Sequence, residues 1–263
     1  MKGPKQSRGS VTGWLLKWAI FLLIAFLLCS TLLVLMFRWL NPPTSAFMVE
    51  ARVQAMREGD RHYRTDYEWA SLEHISPNAA LAVVASEDQQ FPFHAGFDLH
   101  SIREAVRASD RGHRLRGAST ISQQVAKNLF LWNGHSFVRK GFEACLTVLI
   151  EAIWPKERIL EIYLNIAEFG RGIYGVEAAA QRFYHKPAAT LTASEAASLA
   201  AVLPNPLRMH PDRPSAYVLS RREWIMSQMR DLGGPAYLQA VEKELQPAAH
   251  HPSMRAGEPL RAR

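Results

Sequence analysis

The stretch 76-SPNAALAVVASEDQQFPFHAGF-97 begins as an apolar run and ends in two adjacent carboxylates. Ser76 suits an N-cap and Pro77 suits the first helical position, so the pattern predicts a helix from Pro77 to about Glu87. Negative charge is disfavoured at a helix C-terminus, which makes the pair Glu87 and Asp88 unusual there. A partly desolvated carboxylate beside a second acid has a raised pKa and suits a general acid or base. The alternative is a helix-end carboxylate that pairs with an arginine.

Similar helix signals recur along the chain. Caps and apolar residues at helical spacing predict helices that begin at Asp98, Ser119-Thr120, Ser136, Pro155 and Thr192-Ala-Ser-Glu195, and two more near 214–231 and 235–245. No stretch shows convincing strand alternation. The fold class we expect is therefore all-α, with one compact domain from roughly residue 75 to residue 245.

The N-terminal segment predicts a membrane anchor. Trp18–Phe37 is twenty residues without a charge, and as a helix it would span about 30 Å, the thickness of a hydrocarbon core. Basic residues precede it (Lys2, Lys5, Arg8 and Lys17), whereas only Arg38 follows before Arg52. The positive-inside rule then places residues 1–17 in the cytoplasm and the rest outside. A cleavable signal peptide is the alternative, but its apolar core is usually only about 7–15 residues long.

Composition narrows the class of protein. The chain has 263 residues, 48% of them hydrophobic and 21% charged, which is typical of a folded protein. Its two cysteines, Cys29 and Cys145, do not have metal-ligand spacing, and Cys29 lies inside the predicted span. There is no glycine-rich phosphate loop of the P-loop or dinucleotide type. A zinc site, a disulfide scaffold and a nucleotide fold are not expected.

Basic residues concentrate in one block. Residues 101–140 contain eight Lys or Arg and two acidic residues, a net charge of +6 out of +7 for the whole chain. Such a block suits a polyanion, a phosphate group or an anionic membrane surface. The alternative is a solvated helix face.

Two short motifs in or near this block have local explanations as well as functional ones. In 117-GASTISQQ-124 a capped helix start offers free N–H groups to an anion, and Gln123 and Gln124 add amides for sugar hydroxyls. In 139-RKGFE-143 the spacing of Arg139 and Glu143 allows an intrahelical ion pair. Alternatively, Arg139 and Lys140 join Lys127 to neutralise a phosphate.

Taken together and in order, the motifs resemble a known family. EDQQFPFHAG (87–96), GASTISQQ, RKGFE, PKERILEIYLN (155–165) and SEAASLAAVLPNP (194–206) are similar to those of glycosyltransferase family 51, the modules that polymerise peptidoglycan. The resemblance covers about residues 77–206. With a single anchor and no room for a penicillin-binding domain, the chain resembles the monofunctional biosynthetic peptidoglycan transglycosylases.

The resemblance implies a lysozyme-like helical domain that acts on lipid II, an undecaprenyl-pyrophosphate-linked disaccharide-pentapeptide. Glu87 matches the catalytic base for the acceptor GlcNAc 4-hydroxyl, and Glu143 matches the second glutamate. The implied substrate-binding residues are Asp88 in the first motif, Ser119, Thr120, Gln123 and Gln124 in the second, and Lys127, Arg139 and Lys140 as contacts of the donor pyrophosphate.

The chain departs from the family at two positions. Ala118 stands where a second glycine is usual, and His135 stands where relatives commonly have an arginine that helps to hold the leaving group. The sequence requires no cofactor and no protein metal site; a divalent cation, Mg²⁺ or Mn²⁺, could join the pyrophosphate at Glu143.

The chemistry fits these residues because a pyrophosphate leaving group needs positive charge rather than an acid. The expected reaction is transfer of the lipid-linked growing glycan chain to the GlcNAc 4-hydroxyl of lipid II, with inversion and release of undecaprenyl pyrophosphate. Two alternatives remain open: a membrane-bound lytic enzyme that cleaves glycan, and an inactive anchored scaffold of wall synthesis.

The expected organisation is a cytoplasmic tail (1–17), a transmembrane anchor (18–37), a juxtamembrane linker (38–75), a glycosyltransferase domain (76–245) and a flexible tail (246–263). The expected location is the bacterial inner membrane, single-pass, with the catalytic domain in the periplasm. Expected partners are lipid II, the nascent glycan chain and the membrane, with other cell-wall synthases as candidates and no nucleic acid.

Overall fold

The computed structural model describes residues 9–100, 103, 119–134 and 136–238. Within these residues the helices, which we number in chain order, are α1 (Gly9–Phe37), α2 (Ala46–Arg57), α3 (Pro77–Glu87), α4 (Ile121–Phe130), α5 (Phe137–Ile153), α6 (Lys156–Ile166), α7 (Val176–Tyr184), α8 (Ala193–Val202) and α9 (Ala216–Asp231). Short 3-10 turns lie at Leu72–His74 and Ala188–Thr190. The predicted helical fold class is confirmed.

The helix caps explain several of these boundaries. Ser76 accepts a hydrogen bond from the N–H of Asn78 at the start of α3, and Ser136 accepts one from Arg139 at the start of α5. Thr120 and Thr192 each form a complete capping box, with Gln123 and Glu195 three residues on. The helix predicted to begin at Asp98 and the one predicted near 235–245 lie largely outside the described residues.

A centre of small and branched side chains holds the domain together. Helix α3 is buried from Ala79 to Ala85 and packs against α8, which is itself buried from Ala196 to Val202. Helix α9 packs on both. On the other side, α4 packs against α5 and α6. Glu87 therefore ends a helix that is clamped by its neighbours.

The N-terminal helix is the one element in the described part of the chain that is long and apolar enough to cross a membrane, over Gly13–Phe37. Its last turns are attached to the rest of the protein. The indole N–H of Trp154 donates to the carbonyl of Val34 at 2.7 Å, and the Arg158 guanidinium donates to the carbonyls of Phe37 and Leu40 at 3.0 and 2.7 Å. A cation at the C-terminal carbonyls of a helix is favourable. Helix α1 fits a single-pass membrane anchor that is fixed to the domain.

Two features differ from the all-helical expectation. A small three-stranded sheet has the order β1–β3–β2, with β1 (Asp66–Tyr67) parallel to β3 (Ile173–Tyr174) and β2 (Glu168–Gly170) antiparallel to it. The strands have two or three residues, too few to show alternation. Residues 46–57, within the expected linker, form α2, which packs on α4.

Candidate active site

Glu87 occupies the last turn of α3, and its carboxylate is held from two sides. One oxygen accepts a hydrogen bond of 3.0 Å from the side-chain amide of Gln124, and the other lies 3.4 Å from Nη2 of Arg221. The Glu87 side chain is 15% exposed. Burial raises its pKa above the usual range, and Asp88 adds to this, while Gln124, Arg221 and Lys127 oppose it. Such a carboxylate is suited to accept a proton.

Gln124 is itself oriented by a residue of the fourth motif. The Tyr163 hydroxyl, buried in α6, donates to the amide oxygen of Gln124 at 3.3 Å. This contact turns the amide nitrogen of Gln124 towards Glu87. The hydrogen bonds therefore run from Tyr163 through Gln124 to the carboxylate, and they connect α6, α4 and α3.

Asp88 faces inward although it is adjacent to Glu87. Its side chain is 2% exposed, and its oxygens lie 2.9 and 3.0 Å from Nε2 of His94, while one of them accepts from the N–H of Ile121 at 2.9 Å. Asp88 also borders the smaller of the two cavities at Glu87, and its expected contact with substrate stays a prediction. A negative charge at the N-terminus of α4 is favoured by the helix dipole. Asp88 joins the end of α3 to the start of α4, and His94 holds the loop between them.

Gly96 completes this junction. Its φ of +87° favours glycine, and a Cβ atom there would come within 2.6 Å of the Thr147 methyl group. The backbone N–H of Gly96 donates to Nδ1 of His94, and its carbonyl accepts from the Thr120 hydroxyl at 2.7 Å. The loop therefore closes tightly around the second motif.

Two adjoining cavities meet at Glu87. The larger has a volume of about 800 Å³ and is lined by residues of four segments of the chain: Ser86, Glu87, Ser119, Gln124, Lys127, Leu203, Pro204, Tyr217, Ser220, Arg221 and Trp224. The smaller, of about 280 Å³, shares Ser86, Glu87, Ser119 and Trp224 with it and is also bordered by Asp88 and Thr120. The larger volume is in the range of small-molecule sites, and the smaller lies just below that range. The carboxylate of Glu87 is accessible where the two cavities join.

The predicted residues of the second motif divide into two groups. Ser119 is exposed and Gln124 is half-buried, and both line the larger cavity. The Thr120 and Gln123 side chains form the capping box of α4 and are buried. Their expected contact with substrate stays a prediction. Thr120 borders the smaller cavity, and the polar atoms of both side chains bind the backbone and so set the position of Gln124.

The predicted basic residues lie in different surroundings. Lys127 lines the larger cavity, with its ammonium group 5.5 Å from the centre of the Phe47 ring. Burial lowers its pKa, as do Arg139 and Lys140, while Glu143 and Glu87 raise it. Four charged side chains therefore act electrostatically on Lys127. The rest of the basic block, residues 104–118, lies outside the described residues, as does His135.

Glu143 is a buried anchor for this basic group. Its side chain is 3% exposed and forms ion pairs with Arg139, at 2.7 Å, and with Lys140. Arg139 is also buried and donates from Nε to the carbonyl of Gly134 at 2.7 Å. Neither Glu143 nor Arg139 is among the residues that line the two cavities at Glu87. The expected catalytic role of Glu143 stays a prediction, and in the structure this carboxylate positions two cations.

The residues do not fit a divalent cation at Glu143, because each of its oxygens already accepts from a cationic side chain. Within the described ranges, no group of three or more His, Cys, Asp or Glu side chains has the arrangement of a metal site.

The sequence analysis missed the contribution of α9. Tyr217, Arg221 and Trp224 recur at helical spacing along the wall of the larger cavity. They lie beyond residue 206, where the family resemblance ends. The helical spacing of these long side chains was the available signal, but an aromatic stripe on a helix is more often buried core.

The transglycosylase family model matches residues 53–230, which include Glu87, the residues that line the larger cavity and all of α9 except its last residue. The chain belongs to the transglycosylase family. The family predicted from the five motifs is thereby confirmed, and with it an enzyme that transfers glycosyl groups.

The sequences of curated relatives align with most of this transglycosylase. It is 50% identical over 236 residues to a protein of Pectobacterium carotovorum subsp. carotovorum, 52% over 237 residues to one of Xanthomonas campestris pv. campestris, and 54% over 224 residues to one of Klebsiella oxytoca. The matched regions are 89%, 90% and 84% of this chain and 97%, 94% and 93% of the relatives. Each relative is named a biosynthetic peptidoglycan transglycosylase.

Proposed function

We propose that the protein is a peptidoglycan glycan-strand polymerase in which Glu87 is the general base. In this reaction Glu87 takes the proton from the GlcNAc 4-hydroxyl of lipid II as that oxygen attacks the anomeric carbon of the lipid-linked growing chain. The C1–O bond breaks on the opposite face, so the configuration inverts, and undecaprenyl pyrophosphate leaves. The observation that carries the proposal is the position of Glu87 where two cavities join. Among the described residues, Lys and Arg side chains line only the larger of these cavities, at Lys127 and Arg221.

The positions of the cations divide the substrates between the cavities. The donor carries a pyrophosphate next to the reacting carbon, so it belongs in the larger cavity, which Lys127 and Arg221 line. Positive charge placed where the leaving oxygens gain charge lowers the barrier to bond cleavage. Lys140, which pairs with Glu143 near Lys127, extends the same positive region. The acceptor sugar then approaches Glu87 from the smaller cavity.

The exposed apolar surface next to the anchor supports a location at the bilayer. Helix α5 packs beside α1, with the rings of Phe142 and Phe26 4.6 Å apart. Near its start Phe137 is 99% exposed, and Val138, Cys145 and Val148 are also exposed. Exposed apolar side chains of this kind favour contact with another apolar phase. In this arrangement a lipid-linked donor reaches Lys127 without leaving the membrane surface.

The distribution of basic residues on the two sides of α1 indicates how the protein is oriented in the membrane. Four basic residues precede the span, whereas Arg38 is followed by none until Arg52. We place the N-terminus in the cytoplasm of a bacterium, the anchor in the inner membrane and the cavities on the periplasmic side.

Product analysis tests this function against the two alternatives. The purified full-length protein is incubated in liposomes with fluorescent lipid II, or with preformed glycan strands. A polymerase converts lipid II into strands and releases undecaprenyl pyrophosphate in step with each bond formed. Shortening of preformed strands would instead identify a lytic enzyme, and binding without turnover of either substrate would identify a scaffold.

A further inference from the structure

Arg221 contacts the candidate base through an incomplete ion pair. A guanidinium that pairs fully with a carboxylate donates two parallel hydrogen bonds of about 2.7–2.9 Å. Here Arg221 makes one contact with Glu87, at 3.4 Å between Nη2 and Oε1. Its Nε is buried and has no hydrogen-bond partner within the part of the chain that the structure describes. The guanidinium therefore keeps donor capacity that Glu87 does not use.

The unused donor capacity borders the cavity assigned to the donor substrate. Arg221 is 20% exposed and lines the larger cavity together with Lys127. The planar fork of an arginine matches a phosphate better than it matches a single carboxylate oxygen. A phosphate of the substrate would satisfy the donors that remain free.

We propose that Arg221 is a positioning residue that holds Glu87 in the empty site and transfers its hydrogen bonds to a substrate phosphate when the donor binds. Glu87 then loses its guanidinium neighbour at the stage at which it must accept a proton. Gln124 keeps the carboxylate oriented throughout, because it binds the other oxygen. This role rests on the proposed function and adds to it a link between donor binding and the strength of the base.

The other charged or titratable groups around Glu87 do not provide this link. Asp88, next to it in the chain, is engaged by His94 and Ile121. Lys127 on α4 and the buried Tyr163 on α6 also influence the site, but the chain offers only Arg221 as a direct ionic contact of Glu87 within the described residues.

The test uses the full-length protein with Arg221→Gln, Arg221→Lys and a control, Arg222→Gln. Arg222 is the next residue of α9 and pairs with the exposed Glu223. Calorimetry measures binding of inorganic pyrophosphate. We expect Arg221→Gln to weaken it about 10-fold or more, as for loss of hydrogen bonds to a charged group, and Arg222→Gln to leave it unchanged. Equal affinity of the wild type and Arg221→Gln would overturn the proposal.

A pH profile separates this role from simple phosphate binding. Arg221 lowers the pKa of Glu87 in the empty enzyme, so without it the acid limb of kcat/KM, which reports the free enzyme, moves to higher pH. The acid limb of kcat, which reports the bound state, moves less. Arg221→Lys keeps the charge, so we expect its acid limb of kcat/KM at the same pH as in the wild type. We expect it to bind pyrophosphate more tightly than Arg221→Gln but more weakly than the wild type.

Two results would show whether the link between Arg221 and Glu87 fails or the proposed function fails. An acid limb that stays in place in Arg221→Gln, with a raised KM, would reduce Arg221 to a phosphate contact and overturn its link to Glu87. A wild type that makes no glycan would overturn the proposed function, and the pyrophosphate measurement would still decide whether Arg221 binds a phosphate.

Discussion

Glu87 and Asp88 are adjacent in the chain, yet their carboxylates face different surroundings. Both residues border the smaller cavity, but only Glu87 also lines the larger one, whereas the Asp88 carboxylate is buried and binds His94 and the first N–H of α4. The backbone of Asp88, which leaves helical geometry at φ −162° and ψ 80°, separates the two directions. One carboxylate is therefore available for chemistry because the other fixes the chain that carries it.

This division predicts the behaviour of Asp88→Asn. The amide keeps the size of the side chain but loses the charge that His94 and α4 share. We expect a loss of about 1.5–3 kcal/mol in the free energy of unfolding, the range for hydrogen bonds to a charged group. We also expect kcat to fall while KM changes little, because the Asp88 carboxylate is already engaged by His94 and Ile121. Thermal melting and steady-state kinetics test this, with Asp212→Asn on the surface as the control. A raised KM at unchanged kcat would contradict it.

Gln124→Met should shift the pH dependence of the reaction. Gln124 lowers the pKa of Glu87 through its hydrogen bond, so its removal raises that pKa further. A base is lost as pH falls through its pKa, so the acid limb of kcat/KM should move to higher pH. Rate measurements from acid to neutral pH test this, with Gln54→Met, at an exposed position of α2, as the control. An acid limb that does not move would show that the amide does not act on the base.

Glu143→Gln should destabilise the protein strongly. Loss of one member of a buried ion pair leaves the other uncompensated, at a cost of about 3–5 kcal/mol, and here Arg139 would remain buried. Glu223→Gln removes an exposed partner of Arg222 and should cost less than about 1 kcal/mol. Thermal melting of both variants in the same detergent tests this. Equal melting temperatures would mean that Glu143 is not the anchor of the basic group.

Cys145 reports whether the exposed face of α5 lies in the membrane. In liposomes carrying the Cys29→Ser protein, we expect a charged, membrane-impermeant maleimide to label Cys145 slowly, because lipid covers it. The reference is a cysteine at Glu223, which is exposed and polar, introduced with both natural cysteines replaced by serine. Labelling of Cys145 as fast as that reference would place the face in water.

The sequence predicted the helices and the family but not which side chains reach the cavity. The caps at Ser76, Thr120 and Thr192 depend on local residues, so the pattern of the chain was sufficient to locate them. Gln123 and Gln124 are adjacent and chemically identical, yet only Gln124 faces Glu87. That difference depends on the capping box and on Tyr163, 39 residues away.

Arg221 could not be placed from the sequence for a similar reason. It lies 134 residues from Glu87, and only the packing of α9 against α3 and α8 brings it into contact. An arginine partner is the alternative to a catalytic Glu87 that the sequence pattern allows. In the structure the carboxylate has such a partner and also faces a cavity, so the two explanations do not exclude each other.

The most direct test of the account compares the wild-type protein with Glu87→Gln in polymerisation of labelled lipid II. Because burial raises the pKa of Glu87, its ionised form destabilises the folded protein as pH rises, and the neutral amide should melt at least as high as the wild type at neutral pH. We predict glycan strands from the wild type and none from this folded variant. Strands from both proteins at similar rates would contradict the assignment of Glu87 as the base.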